Sequence, residues 1–232
     1  MKDNNKKFDR FIKLINKSSF NNLSKKKILV LGLGGVGGYV VESLVRSGIS
    51  SIVIVDFDKV ELSNFNRQII AIDDNLNRLK TDAFKDRIKS INSECEVITI
   101  DKFIDDSNYL KLFDYEIDYF IDCCDSIKTK KLVIEKCFEE NIPIISSMGT
   151  GNRMDPSKLE IVDIRKTSYD PIAREIRKFI REIKTKKKLM VLCSREIPIK
   201  SKGVVYSNSF VPSSAGLLIT SYVINDLIKK ED

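Results

Sequence analysis

Apolar positions along the chain switch between a short period and a helical one, and the switching predicts strand and helix in alternation. The run Ile28-Leu29-Val30-Leu31, with lysines before it and glycines after it, reads as a buried parallel strand entering a tight turn. Val36, Val40, Val41, Leu44 and Val45 then recur at helical spacing until Ser47-Gly48 ends the helix. Ile52-Val53-Ile54-Val55-Asp56 follows as a second strand, which completes a βαβ unit. Leu76, Leu79, Ala83, Phe84, Ile88 and Ile91 mark a further helix, and Val97-Ile98-Thr99-Ile100 a third strand. Tyr119 to Cys123 and Pro143 to Ser146 predict a fourth and a fifth strand, with a helix from Ser126 to Glu139 between them. Alternation of this kind specifies an α/β fold, a Rossmann-like doubly wound and mostly parallel sheet.

Past Gly149-Thr150-Gly151 the pattern changes. Leu159 to Ile164 is expected as a strand, Pro171 to Ile183 as a helix, Val204 to Val211 as another strand, and Ser213 to Ile228 as a final helix. No repeat or low-complexity linker divides the chain, so this second part is expected to extend the first as a C-terminal α/β extension.

The first glycine cluster carries the chemistry. Gly32-Leu33-Gly34-Gly35-Val36-Gly37 fits G-x-G-x-x-G directly after a strand and at a helix start, where glycines let the backbone approach phosphates. Asp56 ends the second strand, where a carboxylate can accept hydrogen bonds from ribose hydroxyls. These features alone specify a nucleotide, and a nicotinamide or flavin would satisfy them equally. Residues at the following strand ends favour a triphosphate. Asp56-Phe57-Asp58 is followed by Asn64, Arg67 and then Lys80, and Asp125 comes just after the fourth strand. In a parallel sheet these ends meet in one crevice, where Arg67 and Lys80 can reach phosphates and Asp125 can hold magnesium. Taken singly, Arg67 and Lys80 also read as surface charges, and Asp125 as a helix N-cap.

Composition narrows the options. There is no histidine, which removes it as base, as metal ligand and as member of a Ser-His-Asp triad. The five cysteines form no C-x-x-C pair, so neither a zinc site nor a dithiol centre is expected. No apolar run reaches the roughly 18 residues that span a bilayer, and the basic N-terminus lacks a secretion signal. A cytoplasmic protein without stable membrane insertion is expected. Of the net charge of +7, the stretch Arg174 to Lys188 supplies +6, from eight basic and two acidic residues. So local an excess points to a polyanionic partner.

GLGGVGG, VDFDKVELSNFNRQ, the lysine of NRLKTDA and IDCCDS together resemble the ubiquitin-activating-enzyme-like superfamily of adenylating enzymes. The resemblance implies ATP and magnesium as cofactors. It implies Asp56 on the ribose, Asn64, Arg67 and Lys80 on the phosphates, and Asp125 on the metal, with Gly32, Gly34, Gly35, Gly37 and Asp58 around the nucleotide. Superfamily members are typically dimers that insert an N-terminal arginine into the partner's site, which implies a homodimer here with Arg10 in FDRFIKLI in that part.

The second half, GTGNRMDPSKLEIVDIRKTSYDPIAREIRK, resembles the tRNA threonylcarbamoyladenosine dehydratases. That likeness implies an adenylated carboxylate on a tRNA nucleoside, a tRNA partner, and room for a sulfurtransferase-type helper protein. Arg174, Arg177, Lys178 and Arg181 are then expected to meet tRNA phosphates, the alternative being a solvated helix face. Cys193 lies where relatives carry a reactive cysteine in a mobile crossover loop, yet Met190 to Cys193 reads equally as a short buried strand. The resulting division of residues 1–232, one adenylation domain, is a helical arm (1–25), a nucleotide-binding half (26–150) and a substrate and dimer half (151–232). Two other functions stay open from the sequence: an activator of a sulfur-carrier protein, which usually carries two C-x-x-C pairs absent here, and a non-catalytic dinucleotide-binding module.

Overall fold

The computed structural model describes residues 4–200 and 203–229. Seven strands, Lys27–Leu31 (β1), Ser51–Val55 (β2), Glu96–Ile100 (β3), Tyr119–Asp122 (β4), Ile144–Ser147 (β5), Leu159–Asp163 (β6) and Met190–Ser194 (β7), form one sheet. Their order is β3-β2-β1-β4-β5-β7-β6, parallel throughout except for the β6–β7 pair. Helices Asn4–Ile15 (α1), Lys17–Leu23 (α2), Gly37–Arg46 (α3), Lys80–Ile91 (α4), Ile127–Glu140 (α5), Pro171–Glu182 (α6) and Phe210–Lys229 (α7) surround it.

Because successive strand residues point to opposite faces, the continuous apolar strands feed two cores. Ile28, Val30, Ile52, Ile54 and Ile121 pack under α3, α4 and α7, while Leu29, Leu31, Val53, Val55 and Phe120 pack under α5 and α6. Helix starts follow local chemistry. Ser126 caps α5 by accepting from the Thr129 amide at 3.2 Å, and Asp170, followed by Pro171, caps α6 through the Ala173 amide at 2.8 Å.

Three expectations from the pattern need correction. Residues 204–208 form no strand: Val204, Val205 and Tyr206 are exposed, and Tyr206 is held by a single residue, Asn152, among the described residues, through its amide and side chain. Asn208 Oδ1 accepts the Val211 amide at 2.9 Å, so the last helix starts at Phe210, three residues before its expected start. Helix α4 begins at Lys80 and not near Leu76, because Asn77 adopts φ 66° and Leu79 is extended and bridges to Lys59. Met190 to Cys193 does form a strand, β7.

Among the described residues α7 is long and apolar enough to cross a membrane by length and composition, with half of its apolar window buried inside this fold.

Candidate nucleotide site

The sheet order reverses between β1 and β4, and a cavity of about 500 Å³ opens there at the C-terminal strand ends. The loop from β1 to α3 forms its floor. Gly32 holds φ +89°, and a Cβ on it would lie 2.8 Å from the Cys123 carbonyl carbon. Gly34 has nothing within 4 Å of a Cβ position and faces the cavity. No side chain caps the start of α3, so the positive end of the helix is left to a ligand.

Asp56 locks this loop. Its Oδ2 accepts the Leu33 amide at 2.7 Å and its Oδ1 accepts the Asp58 amide at 2.9 Å. Burial pushes the Asp56 carboxyl above its ordinary value, against the opposing pull of Lys80 and of these two amides. Lys80 is buried, its Nζ 2.7 Å from Asp58 Oδ2 and 3.8 Å from Asp56 Oδ1. This places a lysine charge inside the cavity wall, which excludes the surface-charge alternative.

Asn64 is buried and closes a short turn, its Oδ1 accepting the Glu61 amide at 3.2 Å. Arg67 lines the cavity and donates through one Nη to the Ser63 carbonyl at 2.7 Å and to Asn66 Oδ1 at 2.9 Å. Asp125 is exposed and lines the opposite wall. Since Ser126 makes the cap, Asp125 is not the N-cap that the sequence offered as its alternative role.

The structure therefore brings Gly32, Gly34, Gly35, Asp56, Asp58, Asn64, Arg67, Lys80 and Asp125 around one cavity. Gly37 does not line it. A Cβ there would lie 1.8 Å from the Gly32 carbonyl oxygen, so Gly37 acts by letting α3 sit on the loop. Arg10, on α1, is exposed and outside the cavity of its own chain.

Cys193 is corrected. It lies within β7, 1% exposed and away from the cavity, not in a mobile loop. Burial, with Glu160 and Asp170, raises its thiol to about 11, against the pull of Arg153 and Arg177, so little thiolate exists at neutral pH. Arg174, Lys178 and Arg181 are exposed on α6, whereas Arg177 is half-buried and donates to the Thr167 carbonyl at 2.9 Å and to its hydroxyl. Arg177 is thus engaged within the fold and is removed from the expected tRNA contacts.

Among the lining residues that sequence reasoning missed, Gln68, Phe57, Phe103 and Lys102 bear on ligand chemistry. Gln68 is buried and its Oε1 has no hydrogen-bond partner among the described residues. Phe57 and Phe103 stack edge to face with centroids 5.0 Å apart at the rim, and Lys102 stands beside them. Applying the strand-end rule to β3 as well as to β2 and β4 would have found Lys102 and Phe103.

Residues 8–195 match the ThiF family. The chain is 40% identical over 240 residues to the tRNA threonylcarbamoyladenosine dehydratase of Bacillus subtilis, covering 96% of this chain and 94% of that protein. With the Escherichia coli tRNA threonylcarbamoyladenosine dehydratase it shares 36% over 154 residues, 66% of this chain and 58% of the other. The fold is similar to the crystal structure of E. coli tRNA N6-threonylcarbamoyladenosine dehydratase in complex with AMP, with a TM-score of 0.93 and 28% identity over 98% of this chain and 96% of that one. The same E. coli protein in complex with ATP gives the same TM-score. With the family model matched over most of the chain's length and the fold shared, this chain belongs to the ThiF family.

Proposed function

We infer that the protein is an ATP-dependent tRNA threonylcarbamoyladenosine dehydratase, which adenylates the carboxylate of the modified nucleoside and promotes its cyclisation. The observation that carries this is the coincidence of a nearly full-length dehydratase likeness with a cavity that puts a glycine loop, a carboxylate and two cations at successive strand ends.

In this mechanism Asp56 binds the ribose and the Phe57–Phe103 pair seats the adenine beside it. Gly34 and the start of α3 receive phosphate oxygens, with Asn64, Arg67 and Lys80 around them. A carboxylate oxygen of the tRNA substrate attacks the α-phosphorus, and the bond to pyrophosphate breaks. Charge developing on the phosphate oxygens is met by Arg67 and Lys80. An internal nitrogen of the same modification then attacks the activated carbonyl and AMP departs, closing a ring with net loss of water. Neither step requires a histidine.

Magnesium fits the donors present: one exposed carboxylate, Asp125, suits an ion that takes its remaining ligands from phosphates and water. When bound it neutralises phosphate charge and stabilises the departing pyrophosphate. Asp125 would hold it.

Residues 26–150 hold the nucleotide in this account, residues 151–232 face the tRNA and a second copy, and the arm of residues 1–25 brings Arg10 to the partner's site. Residues 1–3, 201–202 and 230–232 of these segments lie outside the described residues. The cytoplasm is the expected compartment.

Exchange of labelled pyrophosphate into ATP tests the adenylation step. Exchange is expected with tRNA carrying threonylcarbamoyladenosine and not with a sulfur-carrier protein ending in glycine; the reverse result would assign the chain to carrier activation. Because Cys193 is buried and mostly protonated, Cys193→Ser should keep tRNA-dependent turnover within about twofold. A loss of tenfold or more at unchanged melting temperature would restore a covalent role.

The start of α6 lies at the cavity, where Ile172 lines the wall, so the exposed Arg174, Lys178 and Arg181 lead away from the mouth. Changing all three to alanine should weaken tRNA binding and reduce the slope of log affinity against log salt by about 3. An unchanged salt slope would remove α6 from the tRNA interface.

A further inference from the structure

A fully buried polar network joins β4, β5 and α5 beneath the cavity. Asp122 ends β4, Lys130 lies one turn into α5, and both side chains are 0% exposed. Lys130 Nζ donates to Asp122 Oδ2 at 2.9 Å, to Ser146 Oγ at 3.2 Å and to the Ser147 carbonyl at 2.8 Å. Each of its three hydrogens thus has an acceptor. Ser146 Oγ in turn donates to Asp122 Oδ2 at 2.6 Å, and Asp122 Oδ1 accepts the Cys124 amide at 3.1 Å.

Stability alone is a poor reason for an ion pair this deep, since apolar side chains of similar volume serve as well or better. The attachments of the network give a better one. Asp122 grips the Cys124 amide, one residue before Asp125. Lys130 grips the carbonyl of Ser147, from which the Met148 to Gly151 wall of the cavity starts. One ammonium group therefore adds a side-chain link between the starts of two walls that run on from neighbouring strands into separate loops.

We propose that Lys130 is a positioning residue which, through Asp122 and the Ser147 carbonyl, sets the spacing of the 123–126 and 147–151 walls and so the place of Asp125 beside the triphosphate. The effect on rate rests on the adenylation mechanism above. The effect on the two walls does not.

The test uses the full chain with Lys130→Met and with Ser146→Ala, which removes one acceptor at little change in volume. Amide exchange is followed segment by segment, alongside steady-state turnover of ATP with the modified tRNA. Lys130→Met should melt about 10 °C lower. Exchange across residues 123–126 and 147–151 should rise about tenfold, with residues 32–37 unchanged. Its kcat should fall at least about tenfold while KM for ATP stays within about threefold, because the Asp56, Lys80 and Gly34 side of the cavity is untouched. Ser146→Ala should give the same pattern at about two- to fivefold, and it decides the matter if Lys130→Met does not fold. Unchanged exchange in both walls, or a fall in kcat matched by the loss of folded protein, overturns the proposal. If the wild type shows no turnover, the adenylation mechanism fails and the exchange data alone decide the positioning role.

Discussion

Asp125→Ala is expected to slow tRNA-dependent pyrophosphate exchange by about 10²-fold or more, the scale of losing one electrostatic stabiliser from a transition state. Its melting temperature should stay within about 2 °C, as for surface substitutions in a chain of this size. The side chain is exposed, lines the cavity and makes no capping bond, so little in the fold depends on it. Ser126→Ala is the matching control. It removes the α5 cap, with an expected cost of about 1 kcal/mol, and leaves the cavity carboxylate in place. Normal exchange by Asp125→Ala would remove this residue from the chemistry and leave the metal without its proposed protein ligand.

The glycine loop gives the second large effect, and here two substitutions that both weaken ATP binding differ in what they do to stability. Gly37→Ala puts a methyl group 1.8 Å from the Gly32 carbonyl oxygen, a contact that only a backbone shift can relieve. A cost of about 1–3 kcal/mol is expected, or about 3–10 °C in melting temperature, together with at least about tenfold weaker ATP binding. Gly34→Ala meets no protein atom within 4 Å and has an ordinary φ, so stability should hold. Its methyl group instead enters the space assigned to phosphate, and ATP affinity should fall by a comparable factor. Thermal melts read with and without ATP separate the two. If Gly34→Ala bound ATP normally, the phosphates would have to lie elsewhere in the cavity.

The sheet and most of the cavity were legible because their signals are local. A strand that is apolar on both faces, a glycine turn and an acid at the next strand end all lie within one βαβ unit, so β1, α3, β2 and Asp56 follow from spacing. Lys80 and Asp125 follow from the rule that parallel strand ends share a crevice. What failed depended on contacts distant in sequence. Val204 to Val211 has the composition of a strand, but no strand pairs with it and Asn208 starts a helix instead. Arg177 stands among exposed basic residues, yet Thr167, ten residues earlier, engages it. Cys193 could be loop or strand by its neighbours alone, and its pairing with Glu160 decides for the strand. The Lys130 network has no local pattern: its partners lie 8, 16 and 17 residues away, on elements that meet only in the folded sheet.

The E. coli structures in complex with AMP and ATP share this fold, and the cavity lined by the glycine loop, Asp56 and Lys80 is the seat proposed for the nucleotide here. The tRNA substrate is the more specific claim. It is tested most directly by incubating the protein with ATP, magnesium and tRNA bearing threonylcarbamoyladenosine, then weighing the released nucleoside. The mechanism predicts a nucleoside lighter by one water, with AMP and pyrophosphate formed in equal amounts. A nucleoside of unchanged mass, with ATP and tRNA intact, would contradict it.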